Sequence, residues 1–142
     1  PRNSRIRSIA AVVVGGLTML QAHPATSQER RGVIPHAPLL KMVVPNTENR
    51  EVAVYEAEYV PGGINPRHLH PAAITCHVLS GTGVWQEEGK EPMTLKAGDS
   101  LFVPAGTIHS HWNPSATDNL RFLEFIVAEK DKGRSIHLPA KQ

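Results

Sequence analysis

From residue 39 onward the chain is cut into short pieces. Apolar and polar residues alternate within several of them, and glycine, proline, asparagine or aspartate breaks the run at intervals of roughly 8 to 12 residues. The pieces span residues 39–44, 52–60, 74–79, 83–86, 93–95, 100–104, 108–112 and 120–127. Successive side chains on a strand point to opposite faces, so pieces of this length and pattern read as strands with one buried face. No stretch here sustains a helical period over three turns. The expectation is an all-β fold, an antiparallel sandwich or barrel. At 142 residues, 40% hydrophobic and 20% charged, the chain has material for one globular domain and not for two.

Two flanks lie outside this pattern. Residues 1–27 carry Arg2, Arg5 and Arg7, then an apolar run from Ile9 to Leu20, then small residues ending in Ala25, Thr26 and Ser27. A basic start, an apolar middle and a small-residue end make a secretory signal peptide, and the apolar run falls short of the roughly 20 residues that cross a bilayer. The chain is therefore expected to be periplasmic or secreted, cleaved near Ser27 and free of the membrane afterwards. Residues 28–38 read as an N-terminal arm. Residues 128–142 read as a charged tail along the surface, in which the piece SIHLP is able to add an edge strand.

Three of the 15 Lys and Arg belong to the leader, so the remaining 12 face 13 Asp and Glu for a net charge of −1. No basic run or stripe is left to bind nucleic acid. A single cysteine, Cys76, allows no internal disulfide, so packing must hold the fold, alone or with a metal.

Chemistry concentrates in two places. The stretch RHLHPAAITCHVLSGTG sets His68 and His70 two residues apart, on one side of a strand and about 6.5 to 7 Å apart along it, so both imidazoles can converge on one ion. Downstream, GDSLFVPAGTIHSHWN places Gly98, Pro104, Gly106, His109 and Asn113 in the spacing G-x5-P-x-G-x2-H-x3-N. Taken singly, each histidine is an exposed loop residue or a hydrogen-bonded strand residue. Taken together, the two stretches resemble the paired motifs of the cupin superfamily, small double-stranded β-helix or jelly-roll barrels. The resemblance covers residues 39–127 and implies one cupin domain with a metal held by His68, His70 and His109. Gly98, Pro104 and Gly106 would then fix the turns that aim His109, with Asn113 serving a turn as well.

The first motif departs from the family at one position. Counted back from Gly81, the place of the family's glutamate falls on Ile74. Parity agrees: Ile74, Cys76 and Val78 form an apolar face, and Thr75, His77 and Leu79 form the other. Ile74 is expected to point inward and to bind no metal, with His77 on the outer face. A register one residue longer would select Thr75 and expose Ile74 and Val78. Cys76 is expected inside, as a small buried hydrophobe or as a thiolate ligand. His111 repeats the two-residue relation to His109 and is expected to line the barrel, to be a fourth ligand or to handle protons. Ile74, Cys76, Phe102 and Trp112 are expected in the pocket, with Val54, Tyr59, Trp85, Phe122 and Phe125 as further wall or core.

Three neutral imidazoles leave a divalent ion's charge uncompensated, which favours an anionic ligand. The resemblance implies Fe(II), or Mn, Ni, Zn or Cu, and a small-molecule substrate handled by an oxidoreductase of the dioxygenase kind. An isomerase or decarboxylase, a non-catalytic periplasmic carrier of metal or small ligand, and a metal-free barrel are the alternatives. It also implies a homodimer joined through sheet edges and outer faces, with the arm before Pro38 as a partner strand.

Overall fold

A computed structural model describes residues 29–141. The expected signal peptide, residues 1–27, lies outside the described residues. The described residues form ten strands and no helix: β1 (Arg31–Ile34), β2 (Leu40–Val43), β3 (Arg50–Leu69), β4 (Ile74–Ser80), β5 (Thr82–Glu87), β6 (Met93–Lys96), β7 (Ser100–Val103), β8 (His109–Trp112), β9 (Leu120–Glu129) and β10 (Ile136–His137). Every pairing between them is antiparallel.

Strand β3 organises the jelly roll. Along one edge it pairs first with β9, from Arg50 to Tyr59, and then with β8, from Ile64 to His68. Along the other edge it meets β2, β1 and β10 in succession. Its first half thus belongs to a layer running β2-β3-β9-β4-β7, and its second half to a layer running β3-β8-β5-β6. The sequence predicts a break at Pro61-Gly62-Gly63; instead the strand bends there and continues to Leu69. Gly62 adopts a φ of 71°, and a Cβ on Gly63 would lie 2.5 Å from the carbonyl oxygen of Gly32. Glycines at these two places turn the strand from one layer into the other and let β1 lie against the corner.

The core fills the space between the layers. Ile74, Cys76 and Val78 face inward, as parity predicts, and pack with Tyr59, Trp85, Val103, Phe122 and Ile126. Ile74 is 1% exposed. The same parity corrects two expected pocket residues. Val103 is buried, so its neighbour Phe102 points outward and is 65% exposed, well away from any pocket. His111 is buried, so Trp112 turns to the outer side and is half-buried. Val54 and Phe125 also leave the expected wall for the outer face, whereas Tyr59, Trp85 and Phe122 remain inside.

The arm and the tail both join the barrel. Residues 31–34 form β1 on β3 of the same chain, with Val33 opposite Tyr59, because β3 offers an edge that would otherwise carry unpaired backbone groups. The tail folds back as β10, with Ile136 opposite Leu69 and His137 opposite His68. The edge strand that SIHLP is able to add thus forms, and it lies beside the histidines.

Candidate metal centre

Four imidazoles meet at the end of the barrel where β3 and β8 run side by side. His68 lies directly opposite His109 in the ladder, and Asn65 lies opposite His111. His70 follows the end of β3 and is held by its own carbonyl, which accepts a 2.9 Å hydrogen bond from the Gly106 amide in the turn before β8. All four histidines are buried. The ring centroids of His68 and His109 are 4.1 Å apart, and His70 stands 5.2 Å from each of them. Ligand atoms of His68, His109 and His111 lie within 4.8 Å of one another, a grouping able to hold a metal ion.

Three of the rings are anchored in the same way. His68 Nδ1 lies 2.6 Å from the Pro66 carbonyl, His109 Nδ1 lies 2.8 Å from the Thr107 carbonyl, and His70 Nδ1 lies 2.7 Å from the Arg134 carbonyl. A carbonyl only accepts, so each Nδ1 carries the proton and each neutral ring has a bare Nε2. Nε2 of His70 and of His109 is buried with no hydrogen-bond partner among the described residues. Nε2 of His68 accepts one long bond, 3.2 Å, from the Asn65 amide. Burial holds His68 down at about 3 and His109 down at about 2, with neighbouring histidines adding to the effect, so neither ring takes up a proton near neutrality. Unprotonated nitrogens aimed inward from rings pinned at the other nitrogen are the arrangement of metal-binding histidines, and the donor set fits a divalent transition metal.

His111 differs. Its Nε2 lies 2.8 Å from the Tyr59 hydroxyl. Burial pushes the phenol of Tyr59 far above its usual range and His111 well below its own, so a neutral phenol faces a neutral imidazole. Phe122 stacks on Tyr59 and Trp85 stacks on His109 at 3.8 Å, which fixes both rings from the apolar side. A cavity of about 30 Å³ adjoins His111, lined by Cys76, Trp85, Leu101, Leu120 and Phe122 among others. That space holds about two waters or a few heavy atoms. Cys76 lines it as a protonated thiol, since burial and then the Glu124 carboxylate push its pKa up, so it is no ready thiolate.

Asn113 closes the second motif as a structural pin. Its amide nitrogen donates to the carbonyls of Tyr59, Val60 and Asp118, tying the end of β8 to the corner of β3. His77 lies on the outer side and bonds Ser100. The spacing of the motifs did not reveal Asn65, Glu124, Arg134 or His137. Glu124 was legible by parity, because it alternates with Phe122 and Ile126 and is 3% exposed. Arg134 and His137 carried no local signal.

Comparison with known proteins adds the following. The family model described as the cupin domain matches residues 55–126. Germin-like protein subfamily 2 member 1 from Arabidopsis thaliana is 35% identical over 51% of this chain and 35% of its own length. Oxalate oxidase 1 from Hordeum vulgare is 26% identical over 57% of this chain and 44% of its own. The chain thus spans less than half the length of these curated relatives. A Klebsiella pneumoniae protein with a double-stranded β-helix domain superposes with a TM-score of 0.56, at 23% identity, over 82% of this chain and 92% of that one, and shares the fold.

Proposed function

The chain belongs to the cupin family, and from that premise we propose that it is an exported, metal-dependent oxidoreductase of the dioxygenase type acting on a small anionic organic molecule. The observation that carries the reading is the pair of buried Nε2 atoms on His70 and His109, without a hydrogen-bond partner among the described residues, with their rings pinned through Nδ1. His68, His70 and His109 would hold the ion. Fe(II) is the metal proposed, with Mn, Ni, Zn and Cu as competitors. When bound, it supplies Lewis acidity and open positions for substrate and dioxygen.

The chain's own residues supply the rest. Three uncharged ligands leave the site positive, which draws an anionic substrate, and the positive charge of Arg30 acts on His68 and His111 in the same direction. Oxalate, which the name of the barley relative gives as its substrate, is a small anion of the class proposed. The Tyr59 hydroxyl and Nε2 of His111 share a hydrogen bond, and with the phenol as donor the imidazole would keep its proton on Nδ1, to donate to an anionic oxygen or to pass on. A carrier has no need of such a buried proton-bearing pair, so its presence supports an enzyme.

The test begins with protein reconstituted with Fe(II) under anaerobic conditions and then given air with oxalate, other small carboxylates, enolates, phenolates or thiols. Oxygen uptake with at least one class is expected. No uptake with any, together with tight metal binding, would leave the carrier, and substrate loss without oxygen would point to an isomerase or decarboxylase. His70→Ala is expected to weaken metal binding by more than about 100-fold, beyond the loss of a supporting residue. His111→Ala is expected to keep the metal and lose turnover. The reverse outcome would exchange their roles.

The assembly proposed is a homodimer through the outer face of the first layer. Phe102, Phe125, Val54 and Leu40 fall in one cross-strand row, interrupted by Thr75, and Val127 and Met42 extend it. Phe102, Phe125, Val127 and Met42 are all exposed. Contiguous apolar surface of this kind marks an interface. Val127→Lys is expected to shift the protein from dimer to monomer in sedimentation velocity; an unchanged dimer would move the interface elsewhere.

A further inference from the structure

We infer that the C-terminal segment 134–137 is a positioning element of the metal centre, coupled to the ion through Arg134. The inference rests on the metal-binding reading above and concerns residues outside both sequence motifs. One of the three ring anchors lies in this segment, and the His137 side chain reaches the site beside it. The Arg134 carbonyl accepts the Nδ1 proton of His70 at 2.7 Å. Nε2 of His137 lies 2.9 Å from Oδ1 of Asn65, whose amide reaches Nε2 of His68 at 3.2 Å, a long contact that an ion on that nitrogen would displace. His137 also stacks on His68, ring centroids 5.5 Å apart.

The segment is too short to hold itself in place. Its strand is two residues long; Leu138 and Pro139 beyond it bond to Arg67, and at its start the side chain of Arg134 ties it to the barrel interior. Nε of Arg134 donates to Glu124 at 2.7 Å, and a second guanidinium nitrogen approaches the same carboxylate oxygen at 2.6 Å. The guanidinium lies 4.3 Å from the centre of the Tyr55 ring. Glu124 faces the barrel interior and is 3% exposed, so its charge requires a partner there, and Arg134 provides it. A buried carboxylate on β9 thus fixes the backbone that fixes His70. The Arg134 side chain meets no metal ligand itself; it acts through its own carbonyl.

Coupling is reciprocal. An ion on Nε2 of His70 polarises the ring and strengthens the Nδ1–H bond to Arg134, which holds the segment down. A docked segment in turn orients His70 and favours the ion.

The test uses the full chain with Co(II) or Zn(II) alone. Arg134→Ala is expected to lower affinity in chelator competition by about 10- to 100-fold, the range for losing a group that orients a metal-binding histidine. The Co(II) absorption bands should shift, and Arg134→Lys should restore part of the affinity. Glu124→Gln should act in the same direction as Arg134→Ala, whereas Lys90→Ala, which breaks only a surface ion pair with Glu87, should change nothing. In wild type, Zn(II) should protect the bonds after Lys130 and Lys132 from trypsin, a readout that needs no variant to fold. Unchanged affinity and bands in Arg134→Ala, or trypsin cleavage indifferent to Zn(II), would overturn the inference while leaving the metal site standing. Wild type that binds neither ion would instead remove the metal reading and this inference with it.

Discussion

In protein reconstituted with one divalent ion, His109→Ala is expected to lose the ion and with it the ligand-induced part of the protein's stability. His109 is fixed by the Thr107 carbonyl on one nitrogen, by the Trp85 ring on one face and by the ladder partner His68 on β3, leaving Nε2 bare inside the barrel. Alanine removes that nitrogen, and on the same strand Ser110 points the other way while His111 is engaged by the Tyr59 hydroxyl. An ion at 100 times its dissociation constant stabilises the folded state by about 2.7 kcal/mol. Calorimetry with and without metal separates this from lost packing, because the packing cost appears in both scans and the metal increment in only one. The increment should vanish in the variant, and elemental analysis should fall from near one ion per chain to trace. A variant that keeps one ion per chain would remove His109 from the ligand set.

Ile74→Glu should have an effect of similar size and opposite direction once metal is present. Ile74 is buried at the start of β4, facing the interior with Val103 and Ile126 as cross-strand neighbours. A carboxylate placed there without an ion is an unpaired buried charge. It costs about 3 to 5 kcal/mol, or takes up a proton and has its pKa raised. With the ion present it becomes a charged ligand. The metal-free variant should therefore melt well below wild type, and metal should stabilise it more than it stabilises wild type. The added negative charge should weaken anion binding in the loaded form. Equal metal increments in the two proteins would mean that residue 74 does not face the ion.

Most of the barrel was legible because strand parity and turn residues are local properties. Ile74, Cys76 and Val78 announced their buried face through alternation alone, and the second motif announced the turns before β8. Two failures came from applying that parity unevenly. Val103 and His111 face inward, which leaves Phe102 and Trp112 no choice but outward. Glu124 could have been read from the same alternation in β9. The bend in β3 was invisible for another reason: Pro61-Gly62-Gly63 is a breaker by composition, and only the flanking strands β8 and β1 make it a corner. Docking of β1 and Arg134 depends on the edges and the buried charge of the folded barrel, so no window of sequence contains it; for β10 the piece SIHLP offered the strand but not its place beside His68.

Strand β3 has one more consequence. It is a single covalent beam that belongs to both layers and delivers His68 and then His70, while β8, hydrogen-bonded to it, delivers His109. The nitrogens are gathered by strand pairing rather than by sequence neighbours, so the barrel's backbone sets the geometry of the proposed centre. A ready set of neutral nitrogens ranks divalent ions by intrinsic avidity, with copper above nickel, zinc and iron. Nothing in such a receptacle selects iron by itself. On the metal-binding reading, the ion carried would follow which divalent ions are available to the protein rather than the donor set alone.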